Sequence, residues 1–130
     1  MTLSVVTPSY AGDFRSFARL HASVLRHTDA SVPHIVVVPQ ADLELFRSLR
    51  SNRLEVRSER DVLPRRFVST AALARIPHLP RGFRVAAVNV RRPFPPIRGW
   101  IFQQLVKLAL TSEMDDDVVL LIDSDVLLIR

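Results

Sequence analysis

The sequence has no cysteine, a single lysine and only three glycines, and each scarcity excludes something. Without cysteine there is no disulfide framework and no thiolate metal site, which suits a cytoplasmic protein. No glycine-rich phosphate loop and no G-x-S-x-G nucleophile elbow can be found. The four histidines show no metal-ligand spacing. No apolar run approaches the roughly 20 residues that span a bilayer, and MTLSVVTPSY lacks a basic leader, so neither export nor anchoring is expected.

What is abundant is arginine. Seventeen arginines and one lysine against 13 acids give a net charge of +5, which favours anionic partners. No run of cations interleaved with aromatics is present, so nucleic acid is not the expected partner. At 130 residues the chain fits one domain able to bury a core.

The apolar pattern predicts alternating strands and helices. LSVVT (3–7) reads as a buried strand. Asp13 is placed to cap a helix whose apolar stripe is Phe14, Phe17, His21, Val24 and Leu25, with Arg15, Arg19 and Arg26 opposite. His21 on that stripe reads as a core histidine. HIVVV (34–38) is a second strand, Asp42 can cap a second helix through Arg50, and LEVRS (54–58) is a third strand. This order predicts an α/β fold, a mostly parallel sheet flanked by helices. Six of the nine prolines fall within 59–98, where only Val85 to Val90 reads as a strand, so an irregular excursion is expected there. A helix over 99–114 follows. The acids Glu113 and Asp115 to Asp117 read as a solvated turn before the strand VVLLIDSD.

That strand carries the strongest chemical signal. Parallel sheets bind ligands outside the carboxyl ends of their strands, where VVLLI delivers Asp123 and Asp125. In extended chain, residues two apart project together, so the two carboxylates would face one ligand and Ser124 would face elsewhere. Like charges so placed call for a cation, and Mg²⁺ or Mn²⁺ held by carboxylates plus phosphate oxygens answers that need. The preceding helix is apolar around most of its circumference except for a stripe of Gln103, Gln104, Lys107 and Thr111. Lys107 on that stripe is placed to meet a phosphate or one of the aspartates. At the end of the first strand, Thr7, Pro8, Ser9 and Tyr10 with Gly12 and Asp13 form a loop of the kind that receives nucleotides.

The succession VVTPSYAGD, HIVVVPQADLELF, VLPRRF, RGWIFQQLVKLAL and VVLLIDSDVLLIR resembles an uncharacterised bacterial family related to GT-A glycosyltransferases, over nearly the whole chain. The resemblance implies a Rossmann-like GT-A fold with a nucleotide-sugar-binding domain over 1–130. It implies that Asp123 and Asp125 hold Mn²⁺ or Mg²⁺ against the diphosphate of a nucleoside-diphosphate sugar. Thr7, Pro8, Ser9, Tyr10 and Asp13 would lie by the nucleotide, and Gln103, Gln104 and Lys107 would line the donor pocket. The acceptor, a glycan or a lipid-linked molecule, and the catalytic base are not implied. Because the apolar residues Val126 to Ile129 read as strand needing cover, the chain is expected to be the donor-binding half of a longer protein. Two other classes remain: a non-catalytic nucleotide- or nucleic-acid-binding module, and a haloacid-dehalogenase-type phosphatase, whose aspartate pair follows the first strand of its fold.

Overall fold

The computed structural model describes residues 1–65, 67–69, 87–89, 91–97 and 99–129. The first half alternates as the pattern predicts: β1 (Leu3–Pro8), α1 (Phe14–His27), β2 (His34–Val38), α2 (Leu43–Arg47) and β3 (Leu54–Ser58). The second half contains α3 (Glu59–Val62), β4 (Phe67–Ser69), β5 (Ala87–Asn89), β6 (Arg92–Ile97), α4 (Gly99–Thr111) and β7 (Val118–Leu121). Four strands form an all-parallel sheet in the order β3-β2-β1-β7, with Val5 opposite His34 on one side and Leu120 on the other. This is an α/β, Rossmann-like architecture.

Alternation along the strands builds two cores. Val6, Ile35 and Val37 face α3 and α4, where Phe102, Val106 and Leu110 cover them. Val5, Val36 and Val38 face the other way, onto Phe17, Leu20 and Val24 of α1 and Leu43 and Phe46 of α2. Strands buried on both faces are continuous β-branched runs, and HIVVV is buried at every position. Leu25, expected on the inner stripe of α1, is exposed, and Leu20 takes the inner place.

Several expectations are corrected. Asp13 and Asp42 stand at helix starts, yet neither carboxylate caps its helix, because a short 3-10 turn precedes each and the side chains are engaged by other loops. The second helix ends at Arg47 rather than Arg50, since Arg50 takes the left-handed backbone conformation (φ 45°) that closes a helix. The helix over 99–114 stops at Thr111. Within the described part of 59–98, α3 is a turn of helix, and β4, β5 and β6 pair antiparallel as a second sheet. Of the expected strand 85–90, residues 87–89 are strand and Val85 and Val90 lie outside the described residues.

The acidic turn also does more than meet solvent. Asp116 accepts a hydrogen bond from Ser4 Oγ (2.8 Å), and Asp117 accepts from the backbone N–H of Thr2 (2.7 Å), fixing where β7 begins beside β1. The strand expected through Asp125 ends at Leu121. Val126 N–H bonds to the Asp123 carbonyl, and this turn sends residues 126–129 back along α1, where Leu128 N–H donates to Ser23 Oγ. Val126 to Ile129 are therefore not strand. β7 lies at the sheet edge among the described residues, so Val118, Leu120 and Leu121 stay partly exposed despite their apolar character.

His21 is a core residue, as its stripe position predicts, and it is not alone. His21 Nδ1 and His34 Nδ1 are 3.0 Å apart, His34 Nε2 is 3.0 Å from Thr7 Oγ1, and Phe17 stacks against the pair. One Nδ1 must carry the proton that the other accepts, so at least the accepting ring is neutral. Burial lowers both pKa values. For His34, burial, then His21 and the Arg53 guanidinium, push it down to about 3, and for His21 the added cause is Arg53. Unfolded histidine titrates near 6.5, so between that pH and the folded values the unfolded chain binds more protons. Stability is therefore fully present above pH 6.5 and lost as the pH falls below it. Urea denaturation between pH 7 and 5, above most carboxylate titration, should show stability falling by about 1.4 kcal/mol per pH unit for each histidine kept neutral. A flat profile over that range would show that the pair is not held neutral.

Candidate functional site

From β1 the chain runs outward through β2 to β3 on one side, and β7 lies on the other, so the sheet reverses its order between β1 and β7. At such a switch point ligands commonly bind outside the carboxyl ends of the strands, and here the chain beyond both strands goes to the α1 face, into α1 itself and back along it as far as Leu128. The loop after β1 and the turn after β7 stand at these two ends. They are tied together, because Ser124 Oγ donates to Asp13 Oδ2 at 3.1 Å. The loop is held on its other side by buried Asp42, whose Oδ2 accepts from Ala11 N–H at 2.9 Å.

In the turn, Asp123 meets Lys107 of α4, while Asp125 lines a hollow with Ser16 and Arg19 of α1, the helix on the other face of the sheet. Asp123 and Asp125 are exposed and Ser124 is buried, but the arrangement follows from the Asp123–Val126 turn rather than from strand pleating. Behind the turn, Lys107 of α4 reaches Asp123 Oδ1 at 2.6 Å. The lysine is inside the fold rather than in solvent, its side chain 9 % exposed against 59 % for Asp123. Gln103 and Gln104, one helical turn earlier on the same stripe, are half-buried.

The residues of the loop divide. Thr7 is fully buried and its hydroxyl is engaged with His34, so it anchors the end of β1 from within. Pro8 is buried as well. Ser9 is buried, and its hydroxyl has no hydrogen-bond partner among the described residues. Tyr10 is half exposed and its ring lies over Gly12, where an added Cβ would come within 2.4 Å of it. Glycine at position 12 thus lets the ring pack down. Residues missed by the sequence reading are Asp42, Ser124 and His34, which shape the loop from partners 31, 111 and 27 positions away. His34 at the head of an otherwise apolar run was the one visible signal.

Among the described residues no three histidine, cysteine or acidic side chains stand together as a complete metal site. Asp123 and Asp125 offer carboxylate oxygens only, a hard donor set that suits Mg²⁺ or Mn²⁺ when a phosphate supplies further ligands. Asp123 keeps Oδ2 for such an ion while Oδ1 faces Lys107.

A family model described as Family of unknown function (DUF6492) matches residues 1–130. The chain belongs to that family. No curated protein and no solved structure matches it. Among the described residues no helix is long and apolar enough to cross a membrane.

The two halves of the Lys107–Asp123 pair are unequal. Removing the lysine leaves a carboxylate that water can solvate, whereas removing the carboxylate strands an ammonium inside the fold. Asp123→Ala should cost about 1 to 3 kcal/mol of stability, the scale of a buried donor left without its partner, and Lys107→Met less than about 1 kcal/mol. Urea unfolding of both variants measures this, and equal costs would place the ammonium in solvent.

Proposed function

We propose that this chain binds a nucleoside-diphosphate sugar through a divalent metal and serves as the donor-binding part of a glycosyltransferase. The observation that carries the reading is the clamp at the switch point, where the β1 loop and the aspartate turn are joined through Ser124 and Asp13 with Lys107 behind them. A nucleotide at the ends of these two strands would meet Tyr10 as an exposed aromatic face. Gln103 and Gln104 lie on the α4 stripe that leads to Lys107 and suit the sugar's hydroxyl groups.

Asp123 and Asp125 would hold Mn²⁺ or Mg²⁺. When bound, such an ion offsets the charge that grows on the departing nucleoside diphosphate. Lys107 fixes the rotamer of Asp123 and adds a second positive charge behind the turn, so the carboxylate is oriented before ligand arrives. The Asp13–Ser124 bond holds the turn at a set distance from the loop. The aspartate pair follows β7 rather than β1, which does not favour the phosphatase arrangement.

Asp125→Asn should abolish Mn²⁺-dependent binding of UDP or GDP and leave the circular dichroism spectrum unchanged. Calorimetry with and without metal decides it. Equal affinity in the variant would remove Asp125 from the site and the transferase reading with it.

A further inference from the structure

The outer face of α1 carries an arginine stripe. Arg15, Arg19, Ala22 and Arg26, spaced at helical intervals, are all exposed. None of the three arginines makes a hydrogen bond or ion pair among the described residues. Alongside them runs the return segment after the aspartate turn. Between the two lies a groove of about 350 Å³, walled by Arg19, Arg26 and His27 on one side and Leu127, Leu128 and Ile129 on the other. Leu127 is 44 % and Ile129 85 % exposed, so among the described residues the apolar wall is open. A smaller hollow of about 120 Å³ continues it past Ser16 and Arg19 to Asp125. The groove therefore leads from an apolar, cationic channel to one of the two exposed carboxylates of the candidate site.

Unpaired guanidinium groups beside open apolar side chains complement a molecule that is anionic at one end and hydrocarbon along its length. The volume lies near the bottom of the range of about 300 to 1,000 Å³ typical of small-molecule sites, which fits one chain rather than a bilayer face. We propose that this groove binds the acceptor, a hydrocarbon chain ending in a phosphate, with the phosphate at Arg19 and the chain over Leu127 and Ile129. The proposal rests on the transferase reading and names the substrate class that reading leaves open. In the transfer, a phosphate oxygen forms a bond to the anomeric carbon of the sugar. The bond from that carbon to the nucleoside diphosphate breaks, and its electron pair leaves on the diphosphate. A phosphate monoester with a second pKa of about 6 is already deprotonated at neutral pH, so no proton has to be removed from the nucleophile.

Calorimetric titration with monomeric dodecyl phosphate, below its micelle concentration, tests the groove. Dodecyl phosphate should bind, with inorganic phosphate and dodecyl maltoside each at least tenfold weaker. Decyl phosphate, two methylenes shorter, should bind about 15-fold more weakly, the equivalent of ~0.8 kcal/mol per methylene. Arg19→Gln should weaken dodecyl phosphate about tenfold and Arg26→Gln no more than threefold, and Leu127→Ser should weaken it while leaving Mn²⁺-dependent UDP binding unchanged. Equal binding of dodecyl maltoside, or an unaltered Arg19→Gln, would overturn the proposal. So would binding to phosphatidylglycerol vesicles without binding of the monomer, which would mark a membrane-facing surface. Intact UDP binding with no dodecyl phosphate binding would sink this proposal alone. Dodecyl phosphate binding without any metal-dependent UDP binding would sink the transferase reading and the acceptor role together.

Discussion

β1 is hydrogen-bonded on both edges, to β2 and to β7, and packed on both faces, and every feature of the candidate site depends on that position. A strand so enclosed can expose only its end, so the loop beyond Pro8 is where the centre of the sheet meets solvent. The pairing with β7 brings a second loop to the same place. Ser4 and Thr2 bind Asp116 and Asp117 at the lower end of the two strands, and Ser124 binds Asp13 at the upper end. The pair is thus pinned at both ends by side chains, and the register that delivers the aspartate turn is set by polar contacts as well as by apolar packing.

The electrostatics of the site are those of a carboxylate oriented in advance. A buried ammonium needs a counter-charge, and Asp123 supplies it without leaving solvent. The lysine is held inside because α4 is apolar around the rest of its circumference, and the carboxylate is held because the lysine cannot follow it outward. Order is thereby imposed on Asp123, while Asp125 makes no hydrogen bond or ion pair among the described residues. Such asymmetry suits a pair of ligands of which one is preset and the other adjusts to what arrives.

Much of this was legible in the residues, for a physical reason. Parallel core strands are continuous β-branched runs, and HIVVV and SVVT announce themselves. Two aspartates after VVLLI, and a lone lysine on an apolar helix, stand out because polar groups there demand partners. The contacts that shape the loop were not legible. Asp13 and Asp42 sit where caps belong, and nothing local says that Ser124 and Ala11 claim their carboxylates. Thr7 looks like a loop residue until the fold sets His34 against it. The three-residue strands β4 and β5 are too short to carry a period, and the prolines of β6 read as loop.

The partnership of β1 and β7 has a consequence in time. Thr2 and Asp117 lie 115 positions apart and Asp13 and Ser124 lie 111 apart, so both pins join segments distant in sequence. Strands β1, β2 and β3 can pair while the rest is still being synthesised, with one edge of β1 waiting open. Contacts of such long sequence separation form slowly, because the loop they close must be ordered before they contribute anything. The junction of the two loops is therefore expected to close after β1, β2 and β3 have paired.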